Sequence, residues 1–276
     1  MTSSAKRAIR TPADDGWLFE ELDTINTPSR ADGVSRRTEA LVNSSVAAFL
    51  TEASKSLQVP QITTLVAMKF FLRFYMVESL RNHRPEQVAT ACLFLSCKVN
   101  ETHKRLRDII YWTVKTRTKH TKDFPDGEDV TDTSERYYEE KNTLLSKERD
   151  LLRTLNFDLQ VEHPYKYLLD LAKKFLQPAF GVSEETHKTV LQAAFNFLND
   201  AMRTTYVHIM FDEIELATAV FYMGCTLHGV RTPDGTGRDA EGRVIPSPCE
   251  VYGAEPERLR KIAVLILKSY SDRGDS

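Results

Sequence analysis

The chain has 276 residues, of which 41% are hydrophobic and 28% charged, enough apolar residues to bury a sizeable core and to argue against intrinsic disorder. Lys and Arg number 37 against 39 Asp and Glu, and the net charge of -2 argues against a protein built mainly to neutralise phosphates. No apolar leader opens the sequence, and its longest uncharged apolar stretch, residues 216–227, is shorter than the roughly 20 residues that span a bilayer. We therefore expect an intracellular protein that makes no membrane contact.

Apolar residues recur at helical spacing along most of the chain, and no segment is typical of a strand. The first five predicted helices cover residues 38–57, 60–80, 85–100, 104–115 and 137–155, with a polar loop at 116–136 between the last two. The next four cover residues 164–176, 183–205, 212–228 and 256–270, and a loop rich in Gly and Pro occupies 229–253. Prolines open four of these helices, which suits proline's preference for the first helical turn. The sequence predicts an all-α fold.

The four cysteines are separated too widely for a CxxC pair, and the seven histidines are scattered. Neither a structural zinc site nor a disulfide framework is expected from this arrangement. Thiols within apolar helices behave as small hydrophobic groups. We expect no metal and no cofactor.

Two segments of the chain resemble each other: residues 89–97 read ATACLFLSC and residues 217–225 read ATAVFYMGC. Each lies in the third helix of its half, and small residues there suit a central helix that several neighbours approach closely. Chance similarity between two apolar helices is the alternative. Because the helix counts, five and four, are also close, a tandem pair of five-helix units is the better interpretation.

Two charged residues fall on otherwise apolar helix faces. Lys98 shares a side of the third helix with Phe94 and Leu95, and Glu148 shares a side of the fifth helix with Leu144 and Leu151. Burying a lone charge costs several kcal/mol, so such residues are normally paired or reach solvent. We expect Lys98 and Glu148 to pair at the edge of an apolar patch. From the residues alone, a structural ion pair or a lysine that snorkels to water is the simpler explanation, and a pair desolvated by a partner is the alternative.

Three segments resemble the transcription-type cyclins, in particular cyclins K and T: FLRFYM at 71–76, ACLFLSCKVNET at 91–102 and ERDLLRTLNFDLQVEHPY at 148–165. The resemblance is good over residues 36–176 and looser beyond. It implies tandem five-helix cyclin boxes. The N-terminal extension would cover residues 1–35, the N-terminal cyclin box 36–160, and a C-terminal cyclin-like repeat 161–276.

The resemblance also implies a set of kinase-binding residues. In this family the lysine ending the third helix and the glutamate of the fifth pair together and contact the kinase near its αC helix, and these positions match Lys98 and Glu148. An acidic residue flanks that contact at Glu101, although the preceding acidic position is Asn100 here. Apolar positions of the same surface match three residues, Leu152, Phe157 and Leu159.

By this resemblance the protein is a regulatory subunit that activates a transcription-type cyclin-dependent kinase and is not itself an enzyme. Its complex would phosphorylate the tail of RNA polymerase II during transcription elongation in the nucleus, as the cyclin subunit of a fungal tail-kinase complex would. A third regulatory subunit is possible. No direct contact with nucleic acid is expected, and the MRAIL-like docking string of cell-cycle cyclins is absent from residues 38–57.

Other functional classes have weaker support. A DNA-binding general transcription factor resembling the TFIIB core would use the same fold, but it usually carries a zinc ribbon and a strongly basic second repeat. A GxGxxA string at 235–240 lacks the strand and helix of a dinucleotide site, and no kinase motif is present.

The polar loop at 116–136 is interpreted as a solvated loop, with a docking element as the alternative. The apolar residues within 1–35 suggest an arm that packs on the body or on the kinase.

Overall fold

The computed structural model describes residues 17–118, 134–204, 206–237 and 244–274. The chain divides into two compact units, residues 1–159 and residues 160–276. Within the described ranges all regular elements are helical and no β-strand occurs, which confirms the all-α prediction. None of the described helices combines the length and the apolar character that crossing a membrane requires.

Five long helices form the body of the first unit, and all five lie where the sequence predicts a helix. Two short helices precede them, which the sequence did not predict because four or five residues are too few to establish a periodicity. In chain order the helices are α1 (Glu21–Ile25), α2 (Pro28–Ala31), α3 (Arg36–Ser56), α4 (Gln61–Tyr75), α5 (Pro85–Val99), α6 (Leu106–Thr118) and α7 (Glu135–Thr154).

Two helix ends in the first unit differ from the prediction. The second long helix was expected to reach residue 80, but α4 ends at Tyr75. Beyond this end, the N–H of Leu80 donates to Ser29 Oγ at 3.0 Å rather than to a helix carbonyl. Helix α6 runs to Thr118, three residues past the predicted end, because Thr116 is buried on the same side as Thr113. The part of the predicted polar loop at 119–133 lies outside the described residues.

Residues 17–35 pack against the long helices α3 and α4 of the first unit. Trp17 is buried, and the guanidinium of Arg73 lies 5.3 Å from its ring centroid. Thr27 Oγ1 donates to Glu39 Oε1 at 2.7 Å, and Arg30 Nε lies 2.8 Å from Glu39 Oε2. This part of the predicted arm therefore lies on the body, whereas residues 1–16 are outside the described ranges.

The second unit is also built of long helices, with short helices between some of them. The four predicted helices are present, two further short helices were not predicted, and residues 178–180 form a single 3-10 turn. The short helix α12 lies inside the segment predicted as loop, and residues 238–243 of that segment are outside the described ranges. In chain order the helices are α8 (Pro164–Phe175), α9 (Glu184–Thr204), α10 (Val207–Met210), α11 (Glu213–Leu227), α12 (Pro248–Tyr252) and α13 (Pro256–Gly274).

The internal repeat corresponds to the central helix of each unit. Helix α5 packs against α3, α4, α6 and α7, and α11 packs against α8, α9 and α13. The two helices also end in the same way: the N–H of Thr102 donates to the carbonyl of Cys97 at 2.8 Å, and the N–H of Val230 donates to that of Cys225 at 2.8 Å. This ending is common among helices, so the correspondence between the two segments is carried by their central position in each unit.

Gly224 allows the closest helix approach in the second unit. A Cβ at this position would lie 2.9 Å from the carbonyl oxygen of Val190 and 3.2 Å from Cβ of Ala194, both on α9. The nearer of these atoms belongs to the backbone and cannot rotate away. The helices α9 and α11 therefore depend on a glycine at this crossing.

Gly224→Ala is expected to destabilise the protein by about 1 to 2 kcal/mol. Overpacking a core costs about 1 to 3 kcal/mol, which exceeds the gain in helix propensity of about 1 kcal/mol. Urea unfolding measures the difference, with Thr226→Ala, an exposed position on the same helix, as the control. A Gly224→Ala protein as stable as the control would show that the two helices separate at no cost.

Candidate protein-docking surface

The charged pair predicted from the sequence is present in the structure. Nζ of Lys98, in the last turn of α5, donates to Oε1 of Glu148 on α7 at 2.7 Å. The side chain of Glu148 is 10% exposed and that of Lys98 is 51% exposed. The pair thus joins a nearly buried carboxylate to an ammonium that faces solvent.

Helix packing explains why a carboxylate lies at this position. Glu148 is flanked one turn on either side by Leu144 and Leu151, both buried where α7 packs against α5. A carboxylate on such a face needs a partner, because leaving it unpaired would cost several kcal/mol. Lys98 supplies that partner at the C-terminal end of α5, where a positive charge also interacts favourably with the helix dipole.

The ring of Phe94 makes a second contact with Lys98. The Nζ atom of Lys98 lies 4.0 Å from the ring centroid of Phe94, one helical turn earlier on α5. Phe94 is itself 8% exposed, so its ring is fixed by the packing of the core. Lys98 is therefore held by a carboxylate and by a ring face at the same time.

Glu101 follows α5 in a turn that strains its backbone. Its φ is 52°, in the left-handed region, while its side chain is exposed. The turn is held by its neighbours: Asn100 Nδ2 donates to Thr63 Oγ1 at 3.3 Å, and the hydroxyls of Thr63 and Thr102 are 3.2 Å apart. Asn100, which replaces an acidic residue of the family pattern, thus ties this turn to the start of α4.

The three apolar residues of the predicted site lie at and beyond the end of α7. Leu152 is half-buried on the helix, and its carbonyl accepts a hydrogen bond from the N–H of Phe157 at 3.0 Å. Phe157 is 69% exposed with a φ of 58°, and Leu159 is half-buried beyond it. The structure therefore joins Lys98 to Glu148 and Leu152 to Phe157 by hydrogen bonds. Among the described residues, no hydrogen bond links Leu159 to the other members of the predicted site.

Two residues of the predicted site, Glu101 and Phe157, have a strained backbone. The sequence could not reveal this strain. Four non-glycine residues in the described ranges have a left-handed φ: Gln58, Glu101, Asn156 and Phe157. Such a conformation costs about 1 kcal/mol or more for residues other than glycine and asparagine. The second unit has Gly229, with a φ of 66°, at the position equivalent to Glu101. The first unit thus keeps a side chain where the repeat shows that glycine fits.

The second unit contains a pair with similar burial. Glu215 on α11 is 10% exposed and Arg258 on α13 is 45% exposed, close to the values for Glu148 and Lys98. Arg258 contacts Glu215 with two nitrogens, one of them NH2 at 2.8 Å from Oε2, and its guanidinium lies 5.2 Å from the ring centroid of Phe211. Arg258 places two of its five N–H groups on one carboxylate, whereas Lys98 places one of its three N–H groups on Glu148.

Three of the cysteine thiols are buried and poorly placed for chemistry. Burial raises the pKa of the Cys97 thiol to about 11 and that of Cys225 to about 12, and it raises the pKa of Cys92 as well. These thiols stay protonated near neutral pH and act as apolar side chains. Among the described residues, no group of three or more His, Cys, Asp or Glu side chains could hold a metal ion.

Comparison with known proteins places the chain in a family. The family model for the cyclin N-terminal domain matches residues 19–160. Cyclin-T1-5 of Arabidopsis thaliana is 33% identical over 219 residues, which cover 79% of this chain and 36% of that protein. Cyclin-K of Homo sapiens is 33% identical over 207 residues, which cover 75% of this chain and 33% of that protein. The chain thus spans about a third of the length of these two relatives.

The fold also matches that of a solved structure. A chain in the crystal structure of the yeast RNA Pol II CTD kinase CTDK-1 complex matches with a TM-score of 0.72 at 16% identity, over 94% of this chain and 74% of that chain. At this level of identity the match concerns the fold alone. Taken with the family model and the two relatives, these findings show that the chain belongs to the cyclin family.

Proposed function

We propose that this cyclin is a regulatory subunit, without a catalytic role of its own, that binds and activates a cyclin-dependent kinase of the transcription type. The observation that carries the proposal is the solvent-facing Lys98 anchored on the nearly buried Glu148, in a chain whose relatives are cyclins of the T and K types. The kinase-binding surface would consist of Lys98, Glu101, Glu148, Leu152, Phe157 and Leu159, and it is named the candidate docking surface below.

The mechanism follows from what a protein kinase needs. Phosphoryl transfer requires the kinase's lysine–glutamate pair and its metal-binding aspartate to be aligned. A cyclin activates by binding the aligned state more tightly than the misaligned one, because a partner shifts an equilibrium only by its differential affinity. Lys98 can donate N–H groups to carbonyls of the kinase while it stays bonded to Glu148, and Phe157 can supply an apolar anchor.

The substrate and the setting belong to the same proposal. The relatives are named cyclin-T1-5 and cyclin-K, and the yeast complex with a chain of the same fold is described as an RNA Pol II CTD kinase. We infer that the tail of RNA polymerase II is the substrate of the complex, that the protein acts in transcription elongation in the nucleus, and that a third regulatory subunit can join. Residues 1–35 would be the extension, 36–160 the kinase-binding box and 161–276 the second box.

Membership of the cyclin family favours this role over a DNA-binding factor resembling the TFIIB core. The near balance of charge agrees, because binding to DNA relies on neutralised phosphates. A gel shift on duplex DNA at low and moderate salt separates the two roles, and we expect no shift. A shift that disappears steeply as salt rises would support the DNA-binding role.

Lys98→Glu is expected to abolish kinase recovery, because it removes the solvent-facing ammonium and places a second carboxylate beside Glu148. Arg258→Glu is the matched control: it leaves an equally buried glutamate facing a new carboxylate in the second unit. Tagged proteins would be purified from nuclear extract, the bound proteins identified by mass spectrometry, and kinase activity measured on a polymerase-tail peptide.

Kinase recovery with the wild type and with Arg258→Glu, but not with Lys98→Glu, would support the proposal. Equal loss in the two variants would assign the effect to stability. Equal recovery in all three would remove Lys98 from the docking surface, and recovery of no kinase by the wild type would overturn the proposed function.

Phe157→Gly is expected to weaken kinase binding by tenfold or more while leaving stability unchanged or slightly raised. The ring is 69% exposed, so its removal loses little packing, and glycine relieves a left-handed backbone worth about 1 kcal/mol. An apolar anchor at the centre of an interface typically contributes about 2 kcal/mol or more.

Gln58→Gly provides the control for this variant. Gln58 is also exposed, its φ is 52°, and it lies outside the candidate docking surface. Thermal melts and binding to the recovered kinase would be measured for the two variants. If Phe157→Gly binds the kinase as Gln58→Gly does, Phe157 is no part of the interface.

A further inference from the structure

The ring of Phe94 occupies a position that the proposed kinase contact does not explain. It is 8% exposed and therefore has little surface to offer a partner, yet its centroid lies 4.0 Å from Nζ of Lys98. That distance is well inside the range of about 6 Å over which a ring face attracts a cation. Phe94 can therefore act on a partner only through the lysine above it.

A single hydrogen bond to Glu148 restrains the ammonium of Lys98 from one direction only, and the lysine side chain is 51% exposed. A lysine side chain carries about 2 kcal/mol of rotamer entropy, which opposes holding it in one orientation. A second contact from a ring face contributes about 0.5 to 1 kcal/mol, a substantial part of that cost. Two anchors from different directions restrict the ammonium far more than either alone.

The internal repeat shows which part of this arrangement is general to the fold. Tyr222 stands where Phe94 stands, so an aromatic residue is common to both central helices, but Thr226 replaces Lys98. In the second unit the ring's hydroxyl instead lies 3.4 Å from Cys249 Sγ. An aromatic residue at this place thus has a packing role, and among the described residues only the ring of the first unit also carries a cation.

We propose that Phe94 is a positioning residue for kinase binding: its ring face, together with Glu148, fixes the ammonium of Lys98 in its binding orientation before the kinase arrives. This inference rests on the proposed function. Fixing the side chain in advance lowers the conformational entropy lost on association, so the ring raises affinity without touching the kinase. Replacing the ring by an aliphatic side chain of similar size releases the ammonium and leaves the core filled.

Phe94→Leu is expected to weaken kinase binding about two- to fivefold, the equivalent of a lost cation–π contact. The probe is the recombinant form of the kinase recovered with the wild-type chain. Phe94→Tyr, which keeps the ring, is expected to bind as the wild type does. Phe94→Met serves as a second non-aromatic variant, so that poor folding of the leucine variant does not decide the outcome.

A double-mutant cycle with Lys98→Met separates positioning from packing. If the ring acts through Lys98, Phe94→Leu changes affinity in the wild-type background and has no effect in the Lys98→Met background. An equal loss in both backgrounds would mean that Phe94 acts by packing or by direct contact, and would overturn the inference. Phe211→Leu, which removes the ring beside Arg258 in the second unit, is expected to leave kinase binding unchanged.

A measurement on the free protein tests the geometry without any kinase. The ring current of Phe94 should shift the NMR signals of the Lys98 side chain upfield, with assignment by Lys98→Arg, and Phe94→Leu should remove that shift. Absence of the shift in the wild type would overturn the inference even where Lys98→Glu abolishes kinase recovery. If Lys98→Glu has no effect on kinase recovery while the shift is present, the proposed docking role fails and the ring–lysine contact is structural.

Discussion

The whole architecture depends on a central helix that its neighbours can approach closely. In the first unit α5 touches four other helices, and its residues Ala89, Ala91 and Cys92 are fully buried. In the second unit α11 has the same role, and at Gly224 the gap to α9 does not admit a methyl group without a backbone shift. Interiors are packed too densely for larger side chains to be inserted without strain. The small residues of the repeated segments are therefore a condition of the fold.

Close packing around α5 also creates the electrostatic problem that the candidate docking surface solves. Helix α7 lies against α5 along a leucine face, and Glu148 falls in the middle of it. The carboxylate must then be neutralised from the rim, and the end of α5 is where a long cationic side chain can reach it. The position of Lys98 is thus set by the packing, while its exposed end remains free to meet a partner.

Much of this could be predicted from the sequence because it depends on periodic patterns. Helical spacing located the nine long helices, and the two misplaced charges indicated the pair between Lys98 and Glu148. The short helices α1, α2, α10 and α12 were missed because a turn or so of helix leaves no periodic trace and is stabilised by caps, such as Thr27 and Ser247, and by tertiary contacts. Past the early end of α4, the N–H of Leu80 bonds to Ser29, a residue far away in the sequence. The left-handed backbone at Glu101 and Phe157 has no sequence signal, since neither residue is glycine.

The contact between the ring of Phe94 and the ammonium of Lys98 could not be predicted from the sequence either. Its spacing to Lys98 is visible in the sequence, since residues four apart lie on the same helix face. The sequence nevertheless offers the simpler interpretation that an aromatic residue on an apolar face belongs to the core, and Phe94 does belong to it. Only the structure shows that one face of the Phe94 ring also contacts the ammonium of Lys98.

The comparison between the two charged pairs shows what kind of observation can distinguish an interface from a structural contact. Burial alone does not, because Glu148 and Glu215 are equally buried and each cation rests near an aromatic ring. The donor chemistry differs. Arg258 directs two nitrogens onto one carboxylate in a bidentate contact between α11 and α13. Lys98 makes one hydrogen bond to Glu148, and the chain turns just after it at Glu101, whose side chain is exposed. Past the end of α7, the ring of Phe157 is also exposed. Gln58 has the same left-handed backbone as these two residues but lies outside the candidate docking surface, so backbone strain alone does not identify an interface. The first pair differs in having a cation held by a single hydrogen bond beside an exposed turn.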